Sequence, residues 1–282
     1  MTDWPMTFRC NNNCVSCILN TGVTSRLPDP PMKQITIVID GINPKNDYFG
    51  ISGGEPTLRN ELFDVLQYAR EKHPDLYIFL VSNGRMFFYR EYTKKLADLN
   101  LNNFRVGIPL YGHTPKLHDS ITRVKGSFAQ AVGGIKNLLE SGINIEVRTI
   151  INKLNYKYLE DIAKFVGGFQ DFDRFVLINM KYTGNAFLHK NVLFVKLSDV
   201  VPYATKAVDI LRDFDINVRL YHFPLCILPK EYRKIAEGVT KEEKELTFAP
   251  QCKNCKLRNK CPRIWKTYFI SAGKKEFKPI ID

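Results

Sequence analysis

The chain has 282 residues, with 41 Lys and Arg against 29 Asp and Glu, five His, seven Cys and a formal net charge of +12. At 44% hydrophobic and 25% charged it is an ordinary globular composition, large enough for one big α/β domain or a domain with an appendage. No apolar run reaches the about 18 residues of a membrane helix, and the first residues, which include Asp3 and no apolar core, do not form a signal peptide. No membrane partner is therefore expected. A reducing cytoplasm is, and there cysteines serve as ligands more often than as disulfides.

Strand-like and helical segments alternate along the chain, which predicts a parallel α/β sheet. A short strand over Pro5–Arg9 leads into Cys10, Cys14 and Cys17. Beyond Pro28, Pro30 and Pro31, the run Ile35–Ile39 has strand propensity, yet a parallel sheet needs a crossover helix here, and the two expectations conflict. Tyr48–Ser52 is a strand running into Gly53-Gly54-Glu55-Pro56, and Asn60–Lys72 is helical, with Leu62, Val65, Leu66 and Ala69 on one face. Strands follow at Leu76–Val81, Phe104–Leu110, Ile143–Ile150 and Phe175–Asn179, with helices at Arg90–Leu99, Gly126–Glu140, Tyr156–Phe165 and Ser198–Phe214. These make about six βα units, a partial (β/α)6 TIM-like barrel rather than a closed eight-unit one. Composition shifts after Asn217: one more strand at Ile216–Tyr221, a charged helical piece over Lys230–Glu245, and the cysteines Cys226, Cys252, Cys255 and Cys261. The domains are drawn as 1–214, the barrel, and 215–282, a small cysteine-rich unit packed against it.

Cys10, Cys14 and Cys17 are spaced C-x3-C-x2-C. Three thiolates this close suit one face of a [4Fe–4S] cube, leaving one iron open to a small ligand. A zinc loop wants C-x2-C pairs and a nearby fourth ligand, which this stretch lacks. Gly53-Gly54-Glu55-Pro56 lies at the C-terminal end of a strand, where barrel folds place their sites. Its glycines let a ligand lie against the backbone, and its carboxylate can receive an ammonium group. His118-Asp119 follows the fourth strand and either faces the cleft or caps the next helix. His73, His113, His189 and His222 show no ligand spacing and read as surface or structural.

Cys10/Cys14/Cys17 followed by Gly53-Gly54-Glu55-Pro56-Thr57-Leu58 resembles the radical S-adenosylmethionine (SAM) superfamily. The resemblance implies a cluster whose open iron chelates SAM, and reductive cleavage of SAM to a 5′-deoxyadenosyl radical that abstracts hydrogen from a substrate. It further implies that Cys10, Cys14 and Cys17 are the catalytic cluster ligands, that Gly54 and Glu55 hold the SAM amino group with Gly53 also in the cofactor site, that the backbone around Ser16 meets the adenine and Met180 flanks it, that Asn83 lies near the ligand and that Arg148 meets the carboxylate, although an ion pair is as good a reading of Arg148. Two positions depart from the family. Ser16 replaces a frequent aromatic residue, and Pro109 stands in Gly107-Ile-Pro-Leu-Tyr-Gly112 where relatives often carry Ser-Leu-Asp-Gly. Cys226, Cys252, Cys255 and Cys261 resemble the ligands of an auxiliary [4Fe–4S] cluster in a twitch-type domain, with zinc as the alternative and with Cys226 the ligand that could be intermittent. The order of Ser82-Asn83-Gly84-Arg85, Ile108–Tyr111, His118-Asp119, Gly126-Ser-Phe128, Glu146-Val-Arg148 and Pro224–Leu228 is similar to that of the His-Xaa-Ser-type radical SAM peptide maturases. The expected partners are thus a flavodoxin- or ferredoxin-type reductase and a ribosomally made peptide. The alternatives are a small anionic metabolite or, in a different class, a zinc- or cluster-bearing RNA-binding or regulatory protein. The glycine–glutamate corner argues against that last class, and nucleic acid is not an expected partner.

Overall fold

A computed structural model describes residues 2–169, 172, 174–239 and 243–281. Eight strands form one all-parallel sheet in sequence order: β1 (Thr2–Thr7), β2 (Phe49–Gly53), β3 (Ile78–Val81), β4 (Phe104–Pro109), β5 (Ile145–Ile151), β6 (Arg174–Asn179), β7 (Asn217–Tyr221) and the two-residue β8 (Ala236–Glu237). Parallel neighbours require crossovers. These are supplied by α1 (Met32–Asp40), α2 (Leu62–Lys72), α3 (Arg90–Asp98), α4 (Pro115–Thr122), α5 (Ser127–Glu140), α6 (Leu159–Gly167), α7 (Gly184–Leu188) and α8 (Leu197–Asp213). This is the expected α/β partial barrel, carried beyond six strands by β7, which the sequence indicates, and β8, which it does not. β1 and β8 are the edges of the described sheet, and an edge is where Pro5 is tolerated, since its missing N–H can face away from the ladder.

The conflict over Ile35–Ile39 resolves as a helix. Pro31 stands at the N-cap of α1, and Ile35 and Ile39, one turn apart, are both fully buried. The crossover requirement overrides the β-branched run. The helix expected over Lys230–Glu245 is not continuous. Lys230–Ile235 is a 3-10 helix, Ala236–Glu237 joins the sheet as β8, Glu243–Glu245 is a 3-10 turn, and positions 240–242 lie outside the described residues. Glu237 is drawn to the sheet by Arg219, 2.6 Å away. A further short pair, β9 (Leu246–Thr247) and β10 (Ile264–Trp265), is antiparallel and precedes α9 (Lys266–Ala272).

One face of the sheet is apolar: Ile51, Leu80, Val106, Val147, Leu177 and Leu220 are fully buried beneath the helices. Several of the alternate residues carry charge. Asp3, Gly50, Phe79 and Arg105 follow one another across β1–β4, and Glu146 pairs with Arg174 across β5–β6. The barrel interior is therefore polar, and Glu146, itself buried, holds Arg148 at 2.9 Å and Arg174 at 3.0 Å. Among the described residues no helix is long and apolar enough to cross a membrane.

Candidate active site

The cysteine loop follows β1 directly, and the sheet register carries Gly53–Glu55 to its side. Gly54 N–H donates to the Thr7 carbonyl (2.6 Å) and Glu55 N–H to the Arg9 carbonyl (2.7 Å). The glycine–glutamate corner thus runs beside the residues that lead into Cys10. Gly53 has φ +121°, and a Cβ at Gly54 would enter the backbone of Phe8 and Arg9. Only glycine allows that approach.

Glu55 is 1% exposed and ties three segments together. Its Oε1 accepts from Thr57 N–H (3.1 Å), Thr57 Oγ1 (2.6 Å) and Ser82 Oγ (2.7 Å), and its Oε2 accepts from Asn83 N–H (2.6 Å). Burial raises its pKa, and these donors oppose that shift. Asn83, at the end of β3, reaches back to the loop: its Nδ2 donates to Asn11 Oδ1 (2.6 Å) and lies 3.9 Å from Cys10 Sγ. Arg85 braces the loop from the same turn, bonding the Asn11 carbonyl, Asn12 Oδ1 (3.0 Å) and Gln130 Oε1 (2.6 Å). Cys10, Glu55 and Asn83, distant in sequence, thus meet.

Burial pushes the Cys10 thiol up to about 11 and the Cys14 thiol up to about 12, with neighbouring thiolates adding to the rise. Burial also raises Cys17. Three thiols that resist separate ionisation suit a cation or cationic cluster that takes them as thiolates together. Ser16 is buried with its Oγ lacking a hydrogen bond of good geometry. Tyr111, just beyond β4, places its hydroxyl beside Cys14 and Ser16. Sequence reasoning missed Tyr111, although it lies in the Gly107–Gly112 run that marks the departure from the family pattern. Met180 follows β6 and is buried. Arg148 lies in the barrel wall with its Nε against Glu146 and its guanidinium over Phe79 at 5.3 Å and Tyr221 at 6.0 Å. The ion pair weighed for it is present.

The second cysteine set comes together from three short turns. Cys226 lies in the 3-10 turn Leu225–Ile227, Cys252 in Pro250–Asn254, Cys255 caps that turn and Cys261 caps Arg258–Lys260. All four line one cavity with Phe248 and Ile264. Burial pushes Cys226 up to about 11, and Ile280 N–H points at Cys255 Sγ (3.4 Å). The unit is docked on the barrel: Trp265 Nε1 donates to the Asn179 carbonyl (3.1 Å), and Leu197 N–H to Tyr268 Oη (2.7 Å).

Two histidines, His118 and His222, are buried within the fold. Asp119 caps α5, accepting from Gly126 N–H, Ser127 Oγ and Phe128 N–H at 2.7–2.8 Å. His118 is buried, and Tyr111 N–H points at its Nδ1 (3.3 Å). His222 is buried with its ring centroid 4.1 Å from that of Trp265. Burial lowers both imidazoles to about 4. A folded pKa below the unfolded value means that the stability is present above about pH 6.5 and drains as pH falls towards 4. At pH 5 each histidine is expected to cost about 2 kcal/mol relative to pH 7.5. Urea unfolding of wild type and His118→Gln at the two pH values checks this: the variant should lose less on acidification, and an equal loss would contradict the assignment.

A model of the radical SAM superfamily matches residues 4–166, more than half of the chain and all of the first cysteine set, and ends before the second. The chain is 33% identical over 159 residues to the Fe-coproporphyrin III synthase of Methanosarcina barkeri, which covers 55% of this chain and 37% of that protein. It is 29% identical over 163 residues to the mycofactocin maturase MftC of Mycobacterium ulcerans (57% and 42%) and 33% identical over 164 residues to the GTP 3′,8-cyclase of Petrotoga mobilis (56% and 49%). The matched part is thus less than half of each relative's own length. In fold it is similar to Streptococcus suis SuiB bound to S-adenosylmethionine (TM-score 0.58, 17% identity, 77% of this chain and 46% of that one). It is likewise similar to anSMEcpe with bound AdoMet (TM-score 0.59, 18% identity, 77% and 63%).

Proposed function

The chain belongs to the radical SAM superfamily, and from that premise we propose that it reductively cleaves SAM and uses the resulting radical to abstract hydrogen from a substrate, most simply a ribosomally made peptide. The observation that carries this reading is the meeting of the cysteine loop with Gly53–Glu55 and Asn83. A [4Fe–4S] cluster held there would supply one electron to the sulfonium of SAM. In this reading Cys10, Cys14 and Cys17 ligate the cluster. Gly53, Gly54 and Glu55 receive the amino group, Glu55 Oε2 having accepted one internal hydrogen bond where Oε1 has accepted three. Asn83 orients the loop, Ser16 and Met180 flank the adenine, and Arg148 turns to the carboxylate the part of its guanidinium beyond the Nε held by Glu146.

Residues 215–282 are proposed as a twitch-like unit in which Cys226, Cys252, Cys255 and Cys261 hold an auxiliary [4Fe–4S] cluster. Its support is the common cavity and the N–H pointing at a thiol, since amide donors to sulfur favour the charged ligand. Its first strand, β7, shares the barrel sheet. A flavodoxin- or ferredoxin-type protein is the proposed electron donor.

The peptide reading draws on MftC, a maturase by name, and on an anSMEcpe structure with AdoMet and a peptide. A second reading, a small anionic substrate, is favoured by the arginines on the inner face, Arg105, Arg148, Arg174 and Arg219, and by the likeness to a GTP 3′,8-cyclase. Deuterated candidates separate the two. Deuterium from a peptide appearing in 5′-deoxyadenosine supports the first, transfer from a nucleotide or sugar phosphate supports the second, and transfer from neither class contradicts both.

A further inference from the structure

Four carbonyls of the cysteine loop and its exit are held by one short stretch after β6. Thr183 Oγ1 donates to Ile18 O (3.0 Å), Asn185 N–H to Leu19 O (3.0 Å) and Ala186 N–H to Cys17 O (2.9 Å). Asn185, 5% exposed, spends its whole side chain on the loop. Its Nδ2 donates to the Cys14 carbonyl (3.1 Å) and to Thr21 Oγ1 (2.8 Å), and its Oδ1 accepts from Thr21 N–H (3.3 Å). The Cys14 carbonyl is also the one that closes the Cys14–Cys17 turn, accepting from Cys17 N–H (3.3 Å). Gly184 (φ +55°) passes so close that a Cβ there would enter the backbone of Ile18 and Leu19.

We propose that Asn185 is a positioning residue for the radical chemistry: by bridging the Cys14 carbonyl to Thr21 it closes the loop around Cys17 and fixes the triangle of thiols. The proposal rests on the reading that Cys10, Cys14 and Cys17 hold a [4Fe–4S] cluster. A flexible loop of three ligands can wrap a cube in several poses, and the pose decides where the open iron points. Elsewhere the loop is held by backbone bonds, Asn13 N–H to Thr122 O (3.1 Å) and Val15 N–H to Ile121 O (2.9 Å), and by Asn83 and Arg85 at Asn11 and Asn12, while the side-chain bridge across Cys14 and Thr21 comes from Asn185. A buried amide with all of these bonds made is costly to disturb.

The test uses the full chain in two states. In the iron-free protein, alkylation rates of the seven cysteines are followed by mass spectrometry. Asn185→Ala and Gly184→Ala are each expected to speed labelling of Cys10, Cys14 and Cys17 about tenfold, with Cys226, Cys252, Cys255 and Cys261 unchanged as the control for folding. Asn185→Asp retains size and the acceptor but loses the Nδ2 donor, and should behave as Asn185→Ala. In the reconstituted, reduced protein, the change that SAM makes in the cluster's electron paramagnetic resonance signal should be lost or altered in the variants at unchanged iron content. Unchanged labelling in both variants, equal acceleration of all seven cysteines, or wild-type behaviour of Asn185→Asp would each overturn the proposal. A wild-type loop that binds no iron would sink the cluster reading instead, while the labelling result would still decide whether Asn185 holds the loop.

Discussion

Replacing Glu55 by alanine is expected to cost about 3–5 kcal/mol and to abolish SAM cleavage. The substitution orphans four donors in a buried site: Thr57 N–H, Thr57 Oγ1, Ser82 Oγ and Asn83 N–H. Each unsatisfied buried donor costs about 1–3 kcal/mol, partly relieved by local collapse. Glu55→Gln keeps the volume and three of the bonds but turns an N–H towards Asn83 N–H, so about 2 kcal/mol is expected. Urea unfolding gives both numbers. A loss below about 1 kcal/mol for Glu55→Ala would show that the carboxylate does not tie β2 to β3. If Glu55→Gln retains full cleavage, its charge is not what receives the SAM ammonium.

Glu146→Ala should be as damaging, for an electrostatic reason. Glu146 is 4% exposed at the side chain and faces Arg148 at 18% and Arg174 at 25%. Removing it leaves two largely buried guanidinium groups facing one another across β5–β6, and breaking a buried pair typically costs about 3–5 kcal/mol. Arg174 retains the Tyr221 hydroxyl (2.9 Å) and a more distant Glu237 (3.8 Å), which soften the loss. Arg148 retains its contacts with the Phe79 and Tyr221 rings and an attraction to Asp3, neither a direct ion pair. Arg148→Gln distinguishes its two roles. A rise of about tenfold in KM for SAM at little stability cost places it at the carboxylate, whereas lost stability with unchanged KM makes it a wall residue.

What could be read from the sequence was the chemistry packed into contiguous stretches. Cys10-x3-Cys14-x2-Cys17 and Gly53–Pro56 announce themselves because a three-point ligand set and a close backbone approach both demand particular residues at fixed spacing. The parallel order of the strands followed from their alternation with amphipathic helices such as Leu62–Lys72. What could not be read were features set by partners far along the chain. Ile35–Ile39 became a helix because β1 and β2 are parallel and adjacent, a fact outside that window. β8 is two residues long and exists through pairing with β7. The role of Asn185 depends on backbone carbonyls about 165 residues earlier, and backbone carbonyls have no sequence signature. Tyr111 is inconspicuous for a different reason: a single tyrosine two residues after Pro109 carries no motif, and its approach to Cys14 is made by the fold.

The cluster assignment decides most of the account, and one anaerobic measurement tests it: iron and sulfide per chain after reconstitution, together with 5′-deoxyadenosine formed on adding dithionite and SAM. About eight irons are expected in the wild type and about four in the Cys10→Ala/Cys14→Ala/Cys17→Ala variant, with 5′-deoxyadenosine from the wild type alone. A wild-type chain that takes up zinc in place of iron, or that holds its iron and leaves SAM intact, would contradict it.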